Sequence, residues 1–205
     1  MSFDIVASKD TQENLVTTLK GRNVEVILAE NGAAALDKIK SLIPQGASVM
    51  NGSSVTLETI GFVDYLKSGA HGWNNLHAAI LAEKDPAKQS ALRKQAVLSD
   101  YYLGSVHAIA ETGEMIIGSN SGSQLPHVVF TSPNIIFVAG AQKIVPTFDT
   151  AMQRLKEYVI PLEDRHMQEK YGVGTYPSKI VIFNRENPMM GRTVWLMLVN
   201  EKLGF

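Results

Sequence analysis

The amino-acid sequence predicts an α/β fold, a three-layer sandwich built on a mainly parallel sheet. Strand and helix patterns alternate through the first half of the chain, the order that right-handed crossovers between parallel strands require. Asn134-Ile135-Ile136-Phe137-Val138 has the continuous apolar character of a strand buried on both faces. Lys179 to Phe183 and Thr193 to Val199 read as further apolar strands near the end of the chain.

Asp10 and Glu13 have the spacing of a capping box and open a helix on Leu15, Val16 and Leu19, ended by Gly21. Val24 to Leu28 is a strand. Asn31-Gly32 starts a helix with Ala35, Leu36, Ile39 and Ile43 on one face, stopped by Pro44. Ala47 to Met50 is the next strand, and a helix after Ser54 buries Leu57, Ile60 and Leu66 before Gly69 ends it. His71 to Asp85 reads as a loop with short helical turns, and Ala87 to Tyr101 as a helix rich in Ala, Leu, Lys and Gln. Val106 to Ala110 and Met115 to Ile117 flank Glu111-Thr112-Gly113-Glu114 as a hairpin. Phe148 to Val159 is helical, bounded by Pro146 and Pro161.

With 205 residues, 45% hydrophobic and 19% charged, the chain has the composition of a globular protein, and a single domain over 1–205 is expected. A net charge of −1 with no basic face argues against nucleic acid. No uncharged apolar stretch is long enough to cross a membrane, and Met1 to Asp10 lacks the pattern of a signal peptide. The chain has no cysteine, so it cannot form disulfides, use a thiol nucleophile or ligate an iron–sulfur cluster through thiolates. A cytoplasmic protein is expected.

The stretch with the most chemistry is Asn51-Gly52-Ser53-Ser54, where an apolar strand runs through a small polar turn into a helix. Low side-chain bulk lets backbone amides approach a ligand, and a helix start favours an anion. Equally, Ser53 or Ser54 can simply cap the helix, with Glu58 already using its dipole. Lys143, after the buried strand and Gly140, would face the same end of the sheet as Gly52-Ser53-Ser54; the plainer reading is a surface lysine. Glu111 at the end of an apolar strand could act as an acid or base, or lie in solvent as a hairpin residue. His71, His77, His107, His127 and His166 show no metal-ligand spacing, so no metal is expected, and His107 reads as a packed or surface residue rather than a base. Nucleophile-elbow, Walker and GxGxxG patterns do not occur.

Four stretches taken in order resemble the LUD domain, the lactate utilisation family that includes LutC-type proteins. They are Asn51 to Gly61 (NGSSVTLETIG), Ser99 to Gly113 (SDYYLGSVHAIAETG), Val138 to Val145 (VAGAQKIV) leading to Ala151-Met152-Gln153-Arg154-Leu155, and Leu198 to Phe205 (LVNEKLGF). The resemblance implies a fold similar to the NagB/RpiA/CoA-transferase-like superfamily, whose enzymes hold anionic ligands on Gly/Ser-rich loops at strand ends. It therefore favours an anionic ligand at Gly52-Ser53-Ser54, and common placement at strand ends predicts that Asn51, Gly52, Ser53, Ser54, Glu111, Gln124 and Lys143 border the pocket of a small anionic metabolite. Where many relatives carry Gly-Asn-Arg after the hairpin, this chain has Gly122-Ser123-Gln124, so no arginine contact carries over. It further implies iron–sulfur partner proteins in L-lactate oxidation, which must be other chains. The resemblance names neither a cofactor nor catalytic residues. The competing expectation is a free-standing enzyme on a phosphosugar, acyl-CoA or folate-like ligand; a third is a ligand-binding regulator without catalysis.

Overall fold

The first helix, α1 (Lys9–Lys20), begins two residues earlier than the sequence spacing suggests, because Ser8 rather than Asp10 caps it. The Ser8 hydroxyl accepts from the Thr11 amide at 3.1 Å. A computed structural model describes residues 2–205. Strand β1 (Glu25–Ala29) follows, then α2 (Gly32–Leu42), capped by the Asn31 side chain accepting from the Ala34 amide at 2.9 Å. Ala35 and Ile39 are buried on α2, and its regular path ends at Ile43, ahead of Pro44. Strand β2 (Ser48–Asn51) leads into α3 (Val55–Thr59).

The helix expected from Ser54 to Gly69 is two helices. Gly61, at φ 77°, breaks it into α3 and α4 (Phe62–Ser68). The next segment holds the two-residue strand β3 (Asn74–Asn75) and α5 (Leu76–Ala82). Helix α6 (Pro86–Gln95) starts on a cap from Asp85 but buries none of its residues. The helix expected to reach Tyr101 therefore stops early, through a 3₁₀ turn at Ala96–Leu98. Tyr101–Gly104 instead forms β4, where Tyr102 and Leu103 are both buried and pack into opposite cores. Alternation across a sheet explains that split.

Beyond β4 come β5 (Ala108–Ala110), β6 (Met115–Ser119), β7 (Asn134–Gly140) and β8 (Ile144–Val145). Helix α7 (Phe148–Arg154) widens into a π-type turn over Leu155–Val159 and continues as α8 (Ile160–Tyr171). Pro161 does not end the helix as expected. It sits in the first turn of α8 after the widened turn, where its missing N–H is tolerated. Strands β9 (Lys179–Phe183) and β10 (Thr193–Val199) complete the chain.

Six strands form an all-parallel sheet in the order β1-β10-β7-β4-β2-β3. Helices α2, α3 and α4 cover one face, where Ile39, Leu57, Phe62 and Leu66 pack on Leu103, Ile136, Val138 and Met197. The other face is covered by α1 and by a second sheet of order β8-β5-β6-β9. Here Leu15, Ile109, Met115 and Ile117 meet Ile135, Phe137, Leu196 and Leu198. The β5–β6 hairpin is antiparallel as expected, with Ala108 opposite Ile116. Ala151, Leu155 and Val159 then pack on the outer side of this small sheet. The fold is α/β with a mainly parallel sheet flanked by helices.

Candidate functional site

A cleft of about 540 Å³ opens beside the carboxyl ends of β2 and β4, between the two sheets and under α8. Gly52, Ser53, Ser54, Gln124 and Lys143 all line it. At Gly52 the chain must pass close to a ring: an added Cβ would lie 2.5 Å from the Tyr102 hydroxyl, so a side chain would force the buried tyrosine aside. The Gly52 amide donates to the Leu103 carbonyl at 3.1 Å, which ties the turn to β4. Ser54 is the helix cap, accepting from the Leu57 amide at 3.3 Å. Helix α3 spans only five residues, so it brings little macrodipole to the cleft. Glu58 is turned to Lys170, 3.3 Å away.

The floor is Lys143. Its ammonium donates to the Thr56 hydroxyl at 3.0 Å, the Ser105 hydroxyl at 3.0 Å and the Val106 carbonyl at 3.1 Å. The side chain is buried, and none of the ion pairs among the described residues includes it. Burial, with a smaller contribution from the nearby Arg154 guanidinium, pulls the lysine down from 10.5 to about 7. Arg154 itself is fully buried on α7, donates to the carbonyls of His107 and Phe3, and lies 5.1 Å from the Tyr158 ring centroid.

His107 lines the cleft next to this floor. Its Nδ1 accepts from the Gly118 amide at 3.0 Å, which leaves the proton of the neutral ring on Nε2. Burial first, then Lys143 and Arg154, push it down to about 3, so it stays uncharged at neutral pH. Glu163 and His166 of α8 line the far wall, and burial raises Glu163 above the ordinary carboxylate range. Tyr171, Val173 and Tyr176 form an exposed apolar rim. Gln124 is held by the Ser119 hydroxyl at 2.9 Å, so its amide has a fixed place on the wall.

Two of the residues expected at the site do not line the cleft. Asn51 precedes Gly52 by one residue and projects to the other side of the strand, where its side chain meets His77 Nδ1 at 2.9 Å. Glu111 follows β5, which belongs to the second sheet rather than the parallel one. Its tip of the hairpin is pinned by Arg22, which donates to the Thr112 carbonyl at 2.5 Å and pairs with Glu114 at 2.8 Å. Thr56, Ser105 and Arg154 are the residues sequence reasoning missed, and His107, read as a packed or surface residue, lines the cleft. The available signal was their position inside the stretches that carry the family resemblance. No group of three or more histidines and carboxylates able to hold a metal ion occurs among the described residues, nor a helix long and apolar enough to cross a membrane.

The LUD domain family model matches residues 12–186. Among solved structures, the chain is similar to a DUF162 family protein from Deinococcus radiodurans, with a TM-score of 0.52 at 8% identity, covering 97% of this chain and 98% of that one. Ribose 5 phosphate isomerase A from Neisseria gonorrhoeae aligns over 85% of this chain and 94% of that one, with a TM-score of 0.41 and 12% identity. No curated protein matches the chain.

Proposed function

The chain belongs to the LUD domain family, and from that premise we propose that it serves L-lactate utilisation as a LutC-type subunit or accessory protein. In this reading it works in the cytoplasm and binds a small anionic metabolite in the cleft. Gly52, Ser53, Ser54, Gln124 and Lys143 form the binding surface. The observation that carries the reading is the cleft floor, where a buried lysine has only hydroxyls and a carbonyl for company. A ligand carboxylate or phosphate would supply the missing counter-charge. Electrons from lactate must then pass through another protein or a bound cofactor, because this chain has no thiolate to hold a cluster. Iron–sulfur proteins are the proposed partners.

A second reading, a free-standing enzyme on a phosphosugar, acyl-CoA or folate-like ligand, is favoured by the size of the cleft. At about 540 Å³, with Tyr171, Val173 and Tyr176 on its rim, it has room for far more than a three-carbon acid. Turnover of such a compound by the pure chain would decide for it.

The test of anion binding is a thermal-shift series with L-lactate, pyruvate and inorganic phosphate on the intact chain and on Gln124→Glu. That variant places a negative charge on the cleft wall at nearly constant volume. At least one anion is expected to raise the melting temperature of the intact chain, and the shift should shrink in the variant. Equal shifts in both, or none in either, would overturn the reading.

A further inference from the structure

Lysine is among the residues least often fully buried without a charged partner. Lys143 is 3% exposed, it borders the cleft, and its three neighbours at hydrogen-bond distance are all neutral. The charged group behind it is another cation, Arg154. A desolvated amine beside a second positive charge is the environment that makes a lysine a nucleophile rather than a point charge. We propose that Lys143 takes up a carbonyl-bearing anion, a 2-oxo acid or an aldehyde, as a covalent imine. The inference rests on the reading of the cleft as an anion site.

The step balances without an oxidant. The Nζ lone pair attacks the carbonyl carbon, and the carbonyl π pair moves to oxygen. A proton transfers from nitrogen to that oxygen to give a carbinolamine. Protonation and loss of the hydroxyl as water then leave the carbon–nitrogen double bond, so amine plus carbonyl compound become imine plus one water. Thr56 Oγ1 and Ser105 Oγ, each 3.0 Å from Nζ, are placed to relay these protons. Ser105 has a further acceptor in the Val138 carbonyl at 2.7 Å, which keeps its hydroxyl oriented. With the lysine pulled down to about 7, a large share of it is free amine at neutral pH, whereas an ordinary exposed lysine is almost wholly protonated. His107 stays uncharged beside it and does not compete for the proton.

The experiment incubates the intact chain with pyruvate and cyanoborohydride near neutral pH, then maps the reduced adduct by peptide mass spectrometry. Lys143 should be labelled at least about tenfold faster than exposed lysines such as Lys38 and Lys88. Lys143→Arg, which keeps a cation in place but cannot form the imine, should lose that adduct while retaining the wild-type circular dichroism. Should this variant fail to fold, the mapping on the intact chain decides by itself. Labelling spread evenly over surface lysines, or absent from Lys143, overturns the proposal. L-lactate, which has no carbonyl at that carbon, runs in parallel by thermal shift. A shift with lactate or pyruvate but no adduct at Lys143 overturns the imine alone; no shift and no adduct overturns the anion site as well.

Discussion

Replacing Lys143 by Met should change how stability depends on pH, and the structure sets the size and sign of that change. Folding takes the amine out of water, beside Arg154 and His107 and in none of the ion pairs among the described residues. Its folded value, about 7, lies below the unfolded 10.5. Between the two, the unfolded chain holds more protons, so stability must rise with pH. Each unit is worth about 1.4 kcal/mol, so from about pH 7 to about pH 9 the wild type should gain about 2–3 kcal/mol from this one group. Below pH 7 both states are protonated and the contribution is flat. Met fills most of the same volume and leaves Thr56, Ser105 and Val106 without their donor. That loss is independent of pH and cancels when the difference between proteins is followed across pH. Urea unfolding of both proteins at several pH values measures it. A wild-type-minus-variant difference that moves by less than about 1 kcal/mol over that window would refute the account of Lys143 as a desolvated amine.

The same logic applies with acid to the histidines. His107 and His127 are held down at about 3 and about 4, so stability is lost as pH falls below 6.5 and the unfolded state takes up protons. His107→Gln should flatten the acid limb by about 3 kcal/mol between pH 6.5 and about pH 4, and an unchanged limb in urea titrations would count against it. Gly140→Ala should destabilise by about 1–3 kcal/mol or more, because the added Cβ would lie 2.6 Å from the Leu203 amide and against the Glu201 carbonyl. A melting temperature equal to wild type would show that the terminal segment yields more readily than its backbone contacts suggest.

The parallel core was legible in the sequence where pattern and packing agree. Asn31 capping α2, the apolar face of Ala35 and Ile39, and the two-sided burial of β7 each follow from local rules. Strand β4 was not legible. Its four residues follow a helix-rich Ala, Leu, Lys and Gln run without a Gly or Pro to separate them. Only the slot between β2 and β7 makes Tyr101–Gly104 a strand, and a tertiary slot has no local signature. The break at Gly61 and the continuation through Pro161 were misread for a related reason. A glycine with φ of 77° and a widened turn before a proline each override a periodicity that runs on unbroken through them.

The site divides along the same line. Gly52-Ser53-Ser54 is visible because a small polar turn between an apolar strand and a helix lies where α/β sheets hold ligands, although Ser54 also caps that helix. Lys143 is reached by topology: β7 neighbours β4, β4 neighbours β2, and parallel strands end on one side, so the residue after β7 and the turn after β2 must share an edge. Glu111 fails the same argument because β5 belongs to the other sheet. What no strand-end rule supplies is the setting of the lysine. Thr56 and Ser105 are ordinary hydroxyl residues until a side chain from 87 and 38 positions away donates to them. Arg154 is an ordinary helix residue until the wall of the small sheet closes over it. A lysine in that sequence position but in water would stay protonated; buried beside Arg154 and in none of the ion pairs among the described residues, it is pulled down to about 7. The chemistry of the site is therefore carried by the long-range packing, and the motif supplies only its address.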